Sequence, residues 1–139
     1  MAGMSALFVW PVRVYYEDTD AGGIVFYANY LRFMERARTE WLRAAGVNQH
    51  ALREESGLLF VVKSVAVDYQ APAVLDDQLH TTVEVQRIGK ASILIRQQVL
   101  RAEQVLVSAE VKIGCVTAQG LRPAAIPAEV LQAMQQNNE

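Results

Sequence analysis

Between Ala28 and Ala45 the chain carries its one long run of helical periodicity, and after Leu58 it alternates like strand. Tyr30, Phe33, Met34, Ala37, Trp41, Ala44 and Ala45 recur at helical spacing and form a single apolar stripe. Arg32, Arg36, Arg38, Glu40 and Arg43 fall mostly on the other faces, and Arg36 and Glu40 are spaced to pair. Gly46 ends the helix, and a weaker helical stretch from Asn48 to Glu55 precedes Gly57. Four strand-like runs follow: Leu58 to Tyr69, Leu79 to Ile88, Ala91 to Leu100 and Gln104 to Val116, separated by turn signals such as Gly89-Lys90. Phe8 to Tyr16 reads as a strand ahead of the helix, and Pro11 suggests that it begins irregularly or lies at an edge. Antiparallel strands with one apolar side must bury that side against something, and the only long striped helix is the available partner. This predicts an α+β fold, a curved antiparallel sheet of about five strands wrapped around the helix. With no repeat and no linker, residues 1–139 read as one domain.

Just ahead of the helix, Glu17-Asp18-Thr19-Asp20 runs into Ala21-Gly22-Gly23 and then Ile24-Val25-Phe26-Tyr27. A helix N-terminus presents unpaired N–H groups and partial positive charge. Donors of that kind polarise a carbonyl while a nearby carboxylate attacks it or activates water, which is the chemistry of acyl transfer. A plainer reading stands beside it, because Asp before Gly also shapes turns. Asp18 suits turn stabilisation or electrostatic support, and Glu17 suits solvation. Gly22 and Gly23 fit positive φ or close approach of a ligand, with ordinary turn service an equal reading for Gly22, and Asn29 fits a helix cap.

Composition removes several classes of function. A net charge of −2 with a pI of about 5.7 offers no global basic field for nucleic acid. The single cysteine, Cys115, allows no intramolecular disulfide and no cysteine metal cluster, and its strand-like setting suits a small buried hydrophobe. His50 and His80 sit in unrelated contexts and read as surface or packing residues, so no metal and no cofactor is expected. Met1 to Val9 has no signal-peptide pattern and no segment reaches the roughly 20 apolar residues that span a bilayer. The expectation is a cytoplasmic protein, with peripheral contact at the inner membrane left open.

The run from Tyr16 to Tyr30, YEDTDAGGIVFYANY, resembles the signature of the 4-hydroxybenzoyl-CoA thioesterase family of hotdog folds. More narrowly it resembles the YbgC-type acyl-CoA thioesterases associated with the Tol-Pal cell-envelope system. Trp10 to Tyr16, Glu35 to Glu40, Phe60-Val61-Val62, Tyr69 to Ala73 and Leu75-Asp76-Asp77 extend the similarity over nearly the whole chain. The resemblance implies a hotdog fold, dimers joined edge to edge, active sites at the dimer interface and pairing of dimers into tetramers. It implies that Asp20 is the catalytic carboxylate, as nucleophile or general base, and that the Tyr27 backbone N–H polarises the thioester carbonyl. Gly23, Ile24 and Val25, between them, become substrate contacts. YbgC-type relatives often carry His where this chain has Tyr27, so a role for an imidazole there is lost while the backbone role is kept.

An acyl-CoA substrate also needs cations for its phosphates. Arg87, Lys90 and Ser92 gather at one hairpin and are candidates for that contact, with Lys63 in the preceding strand; exposed cations at hairpins also serve solubility. Val61 and Val62 are candidates for lining the acyl tunnel, with core packing as the alternative. Another hotdog lineage places its catalytic Glu on the central helix, which raises Glu35 as a candidate, but Arg32 and Arg38 flank it at salt-link spacing and a structural salt link is the favoured reading. Trp10 and Trp41 read as hydrophobic packing. Two other functions stay open: a hotdog hydratase or dehydratase, although those generally use a His in this loop, and a non-catalytic module binding acyl carrier protein at the cell envelope.

Overall fold

The structure, a computed structural model, describes residues 7–137. In chain order it contains β1 (Phe8–Arg13), a 3-10 turn (Tyr16–Asp18), α1 (Asn29–Ala44), α2 (Gln49–Ala51) and a π-type turn (Leu52–Ser56). There follow β2 (Leu58–Tyr69), β3 (Gln78–Ile88), β4 (Ser92–Arg101), β5 (Gln104–Thr117) and α3 (Ala128–Asn137). The strands form one antiparallel sheet in the order β1-β3-β4-β5-β2. Register irregularities at Val62/Ser64, Val85/Arg87 and Val99/Leu100 bend the strands, as bulges do. Tyr30, Phe33, Met34, Ala37 and Trp41 of α1 are buried in one core with Leu79, Val83, Ile93, Ile95, Val99 and Val111 of the sheet. This is the α+β hotdog arrangement that the sequence led us to expect. The expected single domain also includes residues 1–6 and 138–139, which lie outside the described residues.

The departures from expectation have local causes. β1 stops at Arg13 because the Tyr15 N–H turns to the Asp18 carboxylate at 2.8 Å, which bends the chain into the 3-10 turn. Glu40 pairs with Arg43 at 2.6 Å instead of with Arg36. Glu35 makes no salt link with Arg32 or Arg38 among the described residues, and instead accepts the Thr39 hydroxyl at 2.9 Å. Arg38 has turned inward, where its guanidinium donates to Gln97 Oε1 at 2.9 Å. Gln97 is fully buried and its amide nitrogen donates to the carbonyls of Met34 and Thr82, so α1 is tied to the sheet through one satisfied polar knot. Burial lowers the Arg38 pKa from its ordinary value, and the charge on Glu35 opposes that shift. The helix α3 was not anticipated, because Val130, Leu131 and Met134 make only one turn of apolar pattern.

A second polar knot holds the loop after β2. Arg101 donates to Asp77 Oδ2 at 2.7 Å, and the Val74 N–H donates to the same oxygen at 2.9 Å. Burial on its own would raise the Asp77 carboxyl, but the Val74 N–H and the Arg101 guanidinium outweigh it and hold the pKa below its ordinary value. A depressed carboxyl stabilises the fold at pH above the ordinary carboxylate range and loses that contribution as pH falls through the folded value. Arg101 is about a third exposed, so solvent screening reduces the effect. Asp77→Asn should therefore cost about 1 kcal/mol at neutral pH. In thermal melts the gap from wild type should close as the buffer is taken below the folded pKa of Asp77.

Candidate active site

The loop between the 3-10 turn and α1 folds back on itself as a tight hairpin. The Asp20 N–H donates to the Ile24 carbonyl at 2.8 Å, the Gly23 N–H to the Asp20 carbonyl at 3.0 Å, and the Phe26 N–H to the Asp18 carbonyl at 3.0 Å. Gly23 sits at φ 84, a conformation that side chains disfavour. At Gly22 a Cβ would stand 3.2 Å from Asp20 Oδ1, and the Gly22 N–H donates to that oxygen at 2.8 Å. One carboxylate oxygen of Asp20 is thus held by the turn, while Oδ2 makes no hydrogen bond among the described residues.

Asp18 and Asp20 do not share a direction. Asp18 is buried, with its carboxylate between the Tyr15 N–H and the Asn29 side-chain amide, the latter at 2.6 Å. Asp20 is exposed. The first acid holds the loop to the helix and the second is left available. Asn29 is the first residue of α1 and spends its amide on Asp18, so it does not cap the helix; Ala28 occupies the cap position and makes no side-chain hydrogen bond there.

Tyr27 lies at the entrance of α1. Among the described residues nothing accepts its N–H, while its carbonyl accepts the Tyr69 hydroxyl at 3.1 Å. The loop is pinned from below by the segment after β2: the Val25 N–H donates to the Ala73 carbonyl at 2.9 Å, Ile24 bridges to Val74, and the Ala73 N–H donates to the buried Tyr30 hydroxyl at 3.0 Å. Burial raises the pKa of Tyr30, which keeps that hydroxyl neutral. A carboxylate and a backbone donor unused among the described residues therefore stand on one hydrogen-bonded loop at a helix N-terminus, where developing negative charge is stabilised. Asp20, Phe26, Ala28, Asn29 and Arg32 help line an open depression of about 360 Å³ beside them.

The other candidates divide. Gly23 and Ile24 are exposed on the same loop as Asp20, whereas Val25 is 2 % exposed and its side chain belongs to the core. Arg87, Lys90 and Ser92 gather at the β3–β4 hairpin, where Arg87 and Ser92 border a surface cavity with Lys112. Val61 and Val62 lie near the start of β2 and line an inner cavity of about 170 Å³ with Glu35, Trp41 and Met134. Strand register puts both of these groups at one end of the sheet, since Val61 and Ser92 both pair with Gly114. Asp20 and Tyr27 are at the other end, beside Tyr69 and Ala73. The seven residue steps along β2 from Val62 to Tyr69 span roughly 23 Å. Within one protomer the carboxylate therefore does not meet the apolar cavity or the cations.

Sequence reasoning missed Tyr69 and Tyr30 as supports of the loop. Both are aromatic residues within motifs already singled out, but their hydroxyl partners lie on distant segments.

Comparison with known proteins agrees with this architecture. The family model described as the thioesterase-like superfamily matches residues 14–134. The chain is 50% identical over 126 residues to a Haemophilus influenzae protein named acyl-CoA thioesterase YbgC, covering 91% of this chain and 93% of that one. It is 44% identical to an Escherichia coli acyl-CoA thioester hydrolase YbgC, covering 95% of this chain and 98% of the relative. Among solved structures, a probable thioesterase from Bartonella henselae superposes with a TM-score of 0.82 at 35% identity, covering 88% of this chain and all of the other.

Proposed function

The chain belongs to the thioesterase-like superfamily, and on that premise we propose that it hydrolyses acyl-CoA thioesters to a free acid and CoA, with Asp20 as the reacting carboxylate. The observation that carries the reading is that, among the described residues, one Asp20 carboxylate oxygen and the Tyr27 N–H are left without partners on one braced loop. The thioester carbonyl oxygen faces the Tyr27 N–H. Asp20 Oδ2 either adds to the carbonyl carbon and expels the CoA thiolate, leaving a mixed anhydride for water to open, or takes a proton from the water that adds. In both routes the thiolate leaves and is protonated, and the negative charge on the former carbonyl oxygen develops toward the helix N-terminus.

The site is completed by a second copy. β2 is an edge strand of twelve residues whose middle, from Val62 to Ala66, is exposed along its open edge. Antiparallel pairing of two such strands about a two-fold axis near Ser64 brings Tyr69 of one protomer beside the first residues of its partner's strand. The Asp20 loop of each protomer then faces Val61, Val62 and the Arg87–Ser92 hairpin of the other. Acyl group and CoA phosphates so find their subsites on the partner subunit. Pairing of two dimers into a tetramer, a cytoplasmic location beside the inner membrane, and acyl carrier protein as an alternative carrier belong to the same reading, by resemblance. Among the described residues no helix is long and apolar enough to cross a membrane.

The test is release of free thiol from a panel of acyl-CoAs by wild type and by Asp20→Asn. Thiol released equally by both would defeat the reading. A charge reversal at the hairpin probes the phosphate subsite: Lys90→Glu should raise KM for acyl-CoA by about tenfold and leave kcat in place, since it acts on uniform binding. An unchanged KM would remove Lys90 from the site.

A further inference from the structure

The cavity between the second half of α1 and the start of β2 is graded from polar to apolar. At its rim are Glu35 and Val62, both exposed, with the Thr39 hydroxyl donating to Glu35. Its depth is formed by Trp41, Ile93 and Met134, each 1 % exposed. A polar rim above an apolar end suits a chain that enters tail first. The volume of about 170 Å³ is close to that of a dry engineered cavity of about 150 Å³ that admits benzene.

Trp41 and Ile93 belong to α1 and β4, which form the body of the fold. Met134 does not. It is delivered by α3, which follows the last strand and is docked by the Ala124 N–H on the Cys115 carbonyl and the Ile126 N–H on the Lys90 carbonyl, both at 2.9 Å. Ile126, Val130 and Met134 are all buried in the core. The end of the cavity is therefore closed by an element outside the sheet-and-helix unit, through an unbranched side chain that adapts its shape to what it meets.

We propose that α3 closes the acyl cavity and that Met134 sets its depth, and with it the length of acyl chain the enzyme accepts. The inference rests on the thioesterase reading above and adds to it the residue that limits chain length. Met134→Ala removes the three heavy atoms beyond Cβ, room for roughly two methylene groups. Met134→Phe fills the same end with a rigid ring.

The experiment measures kcat/KM on straight-chain acyl-CoAs from acetyl to decanoyl for wild type, Met134→Ala, Met134→Phe and Asp20→Asn. Met134→Ala should move the optimum about two carbons longer and change the long-to-short ratio by about tenfold. Met134→Phe should move it shorter, and it carries the test alone if the alanine variant does not fold. Chain-length profiles of folded Met134 variants that superpose on wild type overturn the proposal. If Asp20→Asn is inactive in that same experiment, the thioesterase reading stands without it. A wild type that turns over no acyl-CoA, or an Asp20→Asn variant as active as wild type, sinks both.

Discussion

Asp20→Asn is expected to lower kcat for acyl-CoA hydrolysis by about 10³-fold, in the range attributed to a positioned acid–base or nucleophilic group. Its melting temperature should stay close to that of wild type, because Asp20 is exposed and an Asn oxygen can still accept the Gly22 N–H that shapes the turn. The contrast with Asp18→Ala gives this meaning. Asp18 is buried and accepts two hydrogen bonds, so its removal strands the Tyr15 N–H and the Asn29 amide and should cost about 2–4 kcal/mol. Two acids two positions apart should therefore separate cleanly, one failing in kcat and the other in stability. Steady-state kinetics beside thermal melts of both variants decides the matter. If Asp20→Asn keeps its kcat, the carboxylate does no chemistry.

Two inactive variants mixed together should regain about a quarter of wild-type activity, if each site takes Asp20 from one protomer and the apolar cavity from the other. The pair is Asp20→Asn, which lacks the carboxylate, and Val62→Arg, which obstructs the cavity mouth at a residue already 49 % exposed. In a random mixture about half of the dimers are hybrids, and each hybrid has one site intact and one site doubly damaged. Refolding or co-expression supplies the exchange of subunits, and a thiol-release assay reads the result. A mixture no more active than its components means that both halves of the site come from one chain. That outcome would leave the roughly 23 Å between Val62 and Tyr69 along β2 without a function.

Much of this was legible in the residues. The bounds of α1 and of β2 to β5 follow from periodicity to within a residue or so, since α1 runs Asn29–Ala44 and β2 runs Leu58–Tyr69. The loop with its glycines was legible as well, because positive φ at Gly23 and the tight Asp20–Gly22 contact are properties of a few adjacent residues. The C-terminal helix was not. Pro127 ahead of an acidic first turn at Glu129 is a start signal, but a single apolar turn is too little to distinguish α3 from a loop. Nor did charge spacing reveal the pairing on α1. Spacing pairs Arg38 with Glu35, whereas the buried Gln97 on β4 gives its guanidinium an uncharged partner instead.

The order of elements, the stripe that α1 buries and the chemistry available on the loop are set locally, because each depends on neighbours along the chain. Tertiary structure alone decided that Asp18 goes inward and Asp20 outward, that α3 brings Met134 under the cavity, and that carboxylate and cavity stand at opposite ends of one sheet. Those outcomes depend on strand order and on the partner each backbone group finds, and such pairings join residues that local pattern never compares.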